Sequence, residues 1–344
     1  MILDIVEILN FVTLSENSAF FYTPLKNGDE KNYLFKKASK SVICTDEQSI
    51  NDSLNEIEKL SQEFDFAYGS ISYETGYYFE EKLKPLLSES GEKFISFHFF
   101  NKDEVESIAT KDISFRNIAS LINQDNFNIS NLKLNESKEE YVEKIYKIKK
   151  HIEEGDTYQV NYTLKAKFDY DGETSTLISQ LLFKQSASYT SIINEENNFT
   201  ISISPELFFK TNGNQIISKP MKGTIKRGIN IEDDFEKSEE LKNSKKDKAE
   251  NIMIVDLLRN DIGKLSKFNS VKAERLFEIE KYETLYQMTS TVTGELKQKS
   301  FSEIIKNLYP CGSITGAPKI RTMKIINQLE NKYVRQDAVV SRVH

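Results

Sequence analysis

Strand-like and helix-like runs alternate irregularly along this chain, and that irregularity restricts the folds open to it. Runs rich in β-branched and aromatic residues, typical of strands, lie at SAFFYT, KNYLF, FDFAYGSISY and KFISFHFF. Helix-like runs come between the later strand-like runs, but without the strict strand–helix–strand repeat of a doubly wound parallel sheet. The sequence therefore predicts an α+β fold.

The pattern changes near residue 135, which suggests two regions. Residues 1–135 are β-rich with polar connectors, and residues 136–344 carry the longer helices. Ser137 and Glu140 form a capping box before a run whose apolar residues recur every three or four positions, which predicts a helix. A single long helix is expected over 232–262, charged at first and then apolar.

Charge and composition exclude several classes of protein. The 344 residues include 46 basic and 53 acidic side chains, a net charge of −7, which argues against nucleic acid or an anionic membrane as the main partner. No uncharged run approaches the ~20 residues of a membrane span. Cys44 and Cys311 lie far apart without a CxxC pattern, so no disulfide framework or zinc site is indicated. Because the apolar start lacks a basic leader, we expect a cytoplasmic protein.

The stretch SKPMKGT places a lysine after a predicted hairpin. LFFKTNGNQIIS reads as two strands joined at the Asn-Gly-Asn run 212–214, and Pro220 then ends regular pairing because it has no N–H. Lys222 and Gly223 are therefore expected at the mouth of a sheet, where side chains tend to act. A single lysine in a loop is more often a solvated surface residue, so its neighbours must decide.

Three further stretches carry chemically useful groups. ISPELFF places Glu206 inside a strand-like run, and KKDKAENIMIVDLLRND places Asp247 and Glu250 on one helix face. YQMTSTVTG and PCGSITGAPKIR supply polar and glycine-rich segments. Taken separately, these stretches also suit a capped surface acid, a solvated helix face and a helix entry with exposed amides.

Taken in order, SPE, PMKGT, KDKAENIMIVDLLRND, YQMTSTVTG and CGSITGAPKIR resemble the chorismate-utilising enzymes over about 137–330. The branch that the chain resembles most is component I of the aminodeoxychorismate synthases. Lys222 stands where the anthranilate synthases have alanine, and Gln287 stands where many of them have histidine. The resemblance implies large antiparallel sheets packed as a sandwich with helices outside.

The resemblance also implies a reaction for the site. Lys222 would attack ring carbon 2 of chorismate as the 4-hydroxyl leaves, and ammonia would then enter at carbon 4 and expel the lysine. Glu206 would be the general acid that protonates the departing hydroxyl. The product would be 4-amino-4-deoxychorismate, on the route to 4-aminobenzoate and folate.

A metal, a substrate shell and a partner follow from the same resemblance. Glu250, with Asp247 in support, would hold Mg²⁺, a hard cation that prefers carboxylate oxygens. Nothing in the chain resembles the Cys-His-Glu set of a glutamine amidotransferase, so such a subunit is the expected ammonia source. Small donors and exposed amides around chorismate would come from Gly223, Thr224, Gln287 and Ser313.

The chain departs from the family pattern after NQLE. The family continues through two more strands, a glycine turn and a helix with two further glutamates, whereas this chain reads NKYVRQDAVVSRVH. We therefore expect the C-terminal strands and helix of the family fold to be missing, which leaves open an inactive, truncated fragment. Anthranilate synthesis also stays open, as does isochorismate or salicylate synthesis, in which Lys222 would act as a base that activates water. None of the three histidines falls among these motifs, and His151 is expected to be solvated or capping.

Overall fold

The fold is described from a computed structural model covering residues 2–24, 30–87, 93–118, 127–184 and 187–330, with the backbone of 338–343. Within these ranges the strands β1 to β20 are Leu3–Asp4, Ser18–Tyr22, Lys31–Phe35, Lys40–Cys44, Phe66–Ile71, Ile95–Phe100, Val105–Ala109, Ile113–Ser114, Asn128–Leu134, Gln159–Val160, Ala166–Asp171, Tyr189–Glu195, Asn198–Ser204, Leu207–Asn212, Gln215–Lys219, Met221–Lys226, Lys272–Lys281, Leu285–Glu295, Gly316–Ala317 and Ala338–Val343. The helices α1 to α10 are Ile5–Leu14, Ile50–Glu63, Thr75–Tyr78, Lys138–Glu153, Thr174–Lys184, Ile231–Asn243, Lys245–Leu265, Phe301–Leu308, Gly312–Thr315 and Lys319–Leu329.

Two antiparallel sheets pack face to face. The first has the strand order β13-β12-β2-β3-β7, and the second has the order β20-β5-β6-β4. Phe35 of the first sheet meets Tyr68 and Phe100 of the second in one fully buried aromatic cluster. Helices α1 and α5 cover the outer face of the first sheet, and α2 covers that of the second. The central strand β6, ISFHFF, is buried along its whole length between these layers, which explains its nearly continuous apolar character.

A third sheet carries most of the predicted site. Strands β15 and β16 follow one another along the same edge of β18, and the break between them falls at Pro220. Strand β17 pairs with the opposite edge of β18, and β14 forms the hairpin with β15. Helix α7 packs Ile254, Leu258 and Ile262 against this sheet, so the helix axis is fixed relative to the strands.

Local signals in the sequence are confirmed at several places. Helix α4 begins after Ser137, whose side chain accepts from Glu140 N while Glu140 caps in return. The Asn-Gly-Asn run 212–214 joins β14 to β15. The single helix predicted over 232–262 was wrong, because the chain forms α6 and α7 instead. Ser244 separates them by accepting a hydrogen bond from Asp247 N, which starts a new helix.

The α+β prediction with antiparallel sheets is confirmed. The first sheet takes β2 from the first predicted region and β12 from the second, and the boundary near residue 135 stays a prediction. The expectation about the segment after NQLE falls mainly on residues 331–337, which lie outside the described part, while β20 pairs antiparallel with β5. No helix in the described ranges is long and apolar enough to cross a membrane.

Candidate functional site

Lys222 lies on a β-bulge. Met221 pairs with Thr289 and Thr224 pairs with Gln287, so three steps along β16 match only two along β18. The extra residue falls at Lys222 and Gly223, and Gly223 has φ 91°, a conformation that glycine adopts without a steric penalty. Bulges interrupt the ladder and redirect side chains. The local sequence therefore places Lys222 where regular strand pairing is broken.

Glu206 and Ser313 meet Lys222 from two other segments. Lys222 Nζ donates to the Ser313 carbonyl oxygen at 3.4 Å, and Ser313 also hydrogen-bonds to the Glu206 carboxyl group. Burial raises the pKa of Glu206 above its usual 4.5, although the Ser313 hydrogen bond and the Lys222 charge oppose this. An amine, a carboxyl group inclined to keep its proton and a buried hydroxyl thus converge.

Helix α7 brings Asp247 against the bulge. A Cβ atom added to Gly223 would lie 2.8 Å from the Asp247 Cβ and 3.1 Å from its Oδ1, so the glycine permits this close approach. Glu250 follows on the next turn of α7, where its side chain is 38% exposed and its Oε1 lies 3.9 Å from Lys246 Nζ. This is a long, exposed ion pair of the kind that contributes little binding energy.

Thr224 and Gln287 extend the site along the sheet. They face each other across β16 and β18, and Thr224 Oγ1 donates to Gln287 Oε1 at 2.9 Å. The hydrogen bond fixes the orientation of the Gln287 amide. The structure thus links five predicted residues through a series of contacts: Glu206, Lys222 and Ser313 interact with one another, and Gly223, next to Lys222, touches Asp247. Thr224 and Gln287 follow along the sheet, and Glu250 lies one helical turn from Asp247.

The donor set suits a hard cation. Asp247 and Glu250 are both half-buried carboxylates on adjacent turns of one helix. Two carboxylate ligands would leave several coordination positions of Mg²⁺ to water, which is the arrangement that this ion prefers. Among the described residues, the group of three with metal-like spacing is elsewhere, at His151, Glu154 and Asp156. Asp156 already accepts hydrogen bonds from His151 and from Arg321, whose positive charge disfavours a cation there.

The sequence reading missed residues that hold the Ser313 segment in place. Lys319 Nζ lies 2.7 Å from Asp261 Oδ2 in a nearly buried ion pair, which ties the segment to α7. Cys311 lies beside Ser313, with its Sγ 3.2 Å from the Ser313 Oγ. Burial together with the Glu206 charge raises the pKa of its thiol to about 11. Both residues lie in motifs quoted above, since Lys319 ends CGSITGAPK and Asp261 ends VDLLRND. Their pairing could not be predicted from the motifs, because it depends on the tertiary fold.

Comparisons with known proteins identify the family and the fold of the chain. The family model for chorismate binding enzymes matches residues 17–335. The chain is 37% identical over 209 residues to aminodeoxychorismate synthase component 1 of Escherichia coli K12, a match that covers 60% of this chain. Among solved structures, it superposes on anthranilate synthase component I of Streptococcus pneumoniae with a TM-score of 0.71 at 19% identity, covering 90% of this chain and 79% of that one.

A second solved structure has the same fold. The menaquinone-specific isochorismate synthase of Escherichia coli superposes with a TM-score of 0.70 at 11% identity, covering 97% of this chain and 78% of that one. The match to the curated relative spans 46% of that protein, about half its length. The family model covers most of the chain, and the chain therefore belongs to the chorismate binding enzyme family.

Proposed function

We propose that the protein converts chorismate and ammonia to 4-amino-4-deoxychorismate. The observation that carries this proposal is the lysine on the β16 bulge, within hydrogen-bonding distance of Ser313 and beside the half-buried Glu206. A nucleophilic amine next to a proton donor suits displacement of a poor leaving group such as hydroxide. The similarity to a relative named aminodeoxychorismate synthase component 1 supports the same reaction.

In this mechanism the neutral amine of Lys222 attacks ring carbon 2, both ring double bonds shift by one position, and the bond from carbon 4 to its hydroxyl oxygen breaks. Glu206 gives its proton to that oxygen, which leaves as water. Ammonia then bonds to carbon 4, both double bonds shift back, the bond between carbon 2 and Lys222 breaks, and the new ammonium group returns a proton to Glu206. The raised pKa of Glu206 favours its acid role, because the group keeps its proton to a higher pH.

Asp247 and Glu250 would hold Mg²⁺, which when bound would attract the carboxylate of the substrate ring. Gly223 allows Asp247 to approach the bulge, so the carboxylates and the amine are held by one packed unit. Thr224, Gln287 and Ser313 would orient the substrate through their side chains and neighbouring amides. We further propose a glutamine amidotransferase subunit as ammonia source, a cytoplasmic location and a role in 4-aminobenzoate and folate synthesis.

Product analysis tests the proposal. The protein is incubated with chorismate and Mg²⁺, with or without ammonium, and the products are separated and identified by mass. We expect 4-amino-4-deoxychorismate only when ammonium is present. Isochorismate or salicylate formed without ammonium would indicate that water is the nucleophile, and anthranilate would indicate attack at a different ring position; each would overturn the assignment.

A further inference from the structure

Ser290 connects three elements beneath the site. It is fully buried on β18, and its backbone N–H donates to Pro220 O at 3.1 Å, two residues before Lys222. Its hydroxyl accepts the Phe277 N–H at 3.1 Å and donates to Asn251 Oδ1 at 2.5 Å. One residue thus contacts Pro220 immediately before the strand that carries Lys222, the strand on the opposite edge of β18 and helix α7.

The contact with Phe277 compensates a second bulge. The register of β17 against β18 slips between Glu274 and Glu278, and Phe277 there has φ 60°. A bulge takes a backbone N–H out of the ladder, and a buried N–H without a partner costs free energy. The Ser290 hydroxyl satisfies this N–H across β18 from the bulge that carries Lys222, which faces Met288, two residues before Ser290.

The contact with Asn251 fixes helix α7. Asn251 is fully buried and directly follows Glu250, and its amide oxygen receives the Ser290 hydroxyl hydrogen. In the described part of the chain its Nδ2 has no hydrogen-bond partner, so the Ser290 contact is the polar link that this side chain makes to the sheet. Asp247 lies one turn earlier on the same helix, in contact with Gly223.

We propose that Ser290 and Asn251 are positioning residues that set the helix of Asp247 and Glu250 against the bulge of Lys222. The inference rests on the proposed function, because it assigns these residues to the geometry of that site. Neither residue touches the reacting atoms. Their buried hydrogen bond adds one directional contact to the apolar packing of α7 on the sheet, as supporting residues around metal ligands commonly do.

The test compares Ser290→Ala with Ser290→Thr, which retains a hydroxyl, and with the control Ser18→Ala. Ser18 is equally buried on β2 and donates to Ser15 O at 2.6 Å, but lies in the first sheet. Mg²⁺ affinity is measured by calorimetry, and the acetylation rate of Lys222 by mass spectrometry. For Ser290→Ala we expect about tenfold weaker Mg²⁺ binding and a changed rate of Lys222 acetylation. We expect Ser290→Thr to lie closer to wild type in both measurements and Ser18→Ala to match wild type.

Wild-type values for folded Ser290→Ala in both measurements, or the same changes in Ser18→Ala, would overturn the inference. If Ser290→Ala does not fold, Ser290→Cys takes its place, since it has a similar volume but only a weak donor. Absence of Mg²⁺ binding by the wild-type protein would instead contradict the metal part of the proposed function. The Lys222 acetylation rates would then decide the positioning role alone.

Discussion

At the scale of single residues, the proposed mechanism depends on a carboxyl group whose pKa is raised. Glu206 lies in the turn between β13 and β14, and burial raises its pKa despite the nearby Lys222 charge. The unfolded chain releases this proton first, so Glu206 lowers the free energy of unfolding as pH rises above about 4.5. A group that costs stability in this way is typical of a functional position.

Glu206→Gln is therefore expected to lower kcat by about 10²- to 10⁴-fold, because the amide cannot donate a proton in place of the acid. In the wild-type protein, activity that depends on protonated Glu206 declines as pH rises through its raised pKa. Steady-state rates across a pH series measure both effects. A Gln variant with near-normal turnover would exclude Glu206 as the general acid.

At the scale of elements, the bulge in β16 requires glycine at position 223 for two reasons, its backbone conformation and the space available for a side chain. Gly223 has φ 91° and leaves no room for a Cβ atom beside Asp247. Gly213 in the β14–β15 hairpin also has positive φ, 59°, but nothing lies within 4 Å of its added Cβ. Comparing substitutions at these two glycines therefore distinguishes the effect of backbone strain alone from the effect of displacing helix α7.

Gly213→Ala should cost about 1–2 kcal/mol of stability through strain alone and leave activity unchanged. Gly223→Ala should cost more and also abolish most activity, because its methyl group must push Asp247 away. Urea unfolding and initial rates are measured on both variants. Equal effects of the two substitutions on activity would show that contact with Asp247 does not matter.

The helices and strands also show which features of the fold can be predicted from sequence patterns. The capping box at Ser137 and the hairpin turn at 212–214 were predictable because each depends on residues close in the chain. The bulge at Lys222 was not, because a register slip is defined by β18, a partner about sixty residues later. The motifs named the site residues through resemblance, whereas the Ser290 contact with Asn251 required the fold.

At the scale of the whole molecule, a buried polar contact joins the two packed sheets. His98 of β6 lies with Nε2 2.7 Å from Glu195 Oε1 of β12, and Ser96 donates to the same oxygen at 2.6 Å. Burial would raise the pKa of Glu195, but these hydrogen bonds outweigh it and lower the pKa to about 2. No sequence pattern indicated a role for His98, because its partner is distant in the chain.

Because the pKa of Glu195 is lower in the folded than in the unfolded protein, its contribution is present at neutral pH and is lost as pH falls from about 4.5 toward 2. Glu195→Gln should therefore lower stability at pH 7, by about 3 kcal/mol at most, and weaken the acid dependence. Urea unfolding at pH 7, 5, 4 and 3 tests this. Parallel pH curves for variant and wild type would contradict it.

The most direct test of the proposed mechanism is the chemistry of Lys222. Lys222→Ala removes the amine. Lys222→Arg keeps the positive charge on a guanidinium group, which does not lose its proton and therefore cannot act as a nucleophile. Chorismate binding is measured by calorimetry and turnover by product formation with ammonium and Mg²⁺. We expect both variants to bind chorismate within a fewfold of wild type and to form no 4-amino-4-deoxychorismate. Near-normal turnover by either variant would contradict nucleophilic catalysis by Lys222.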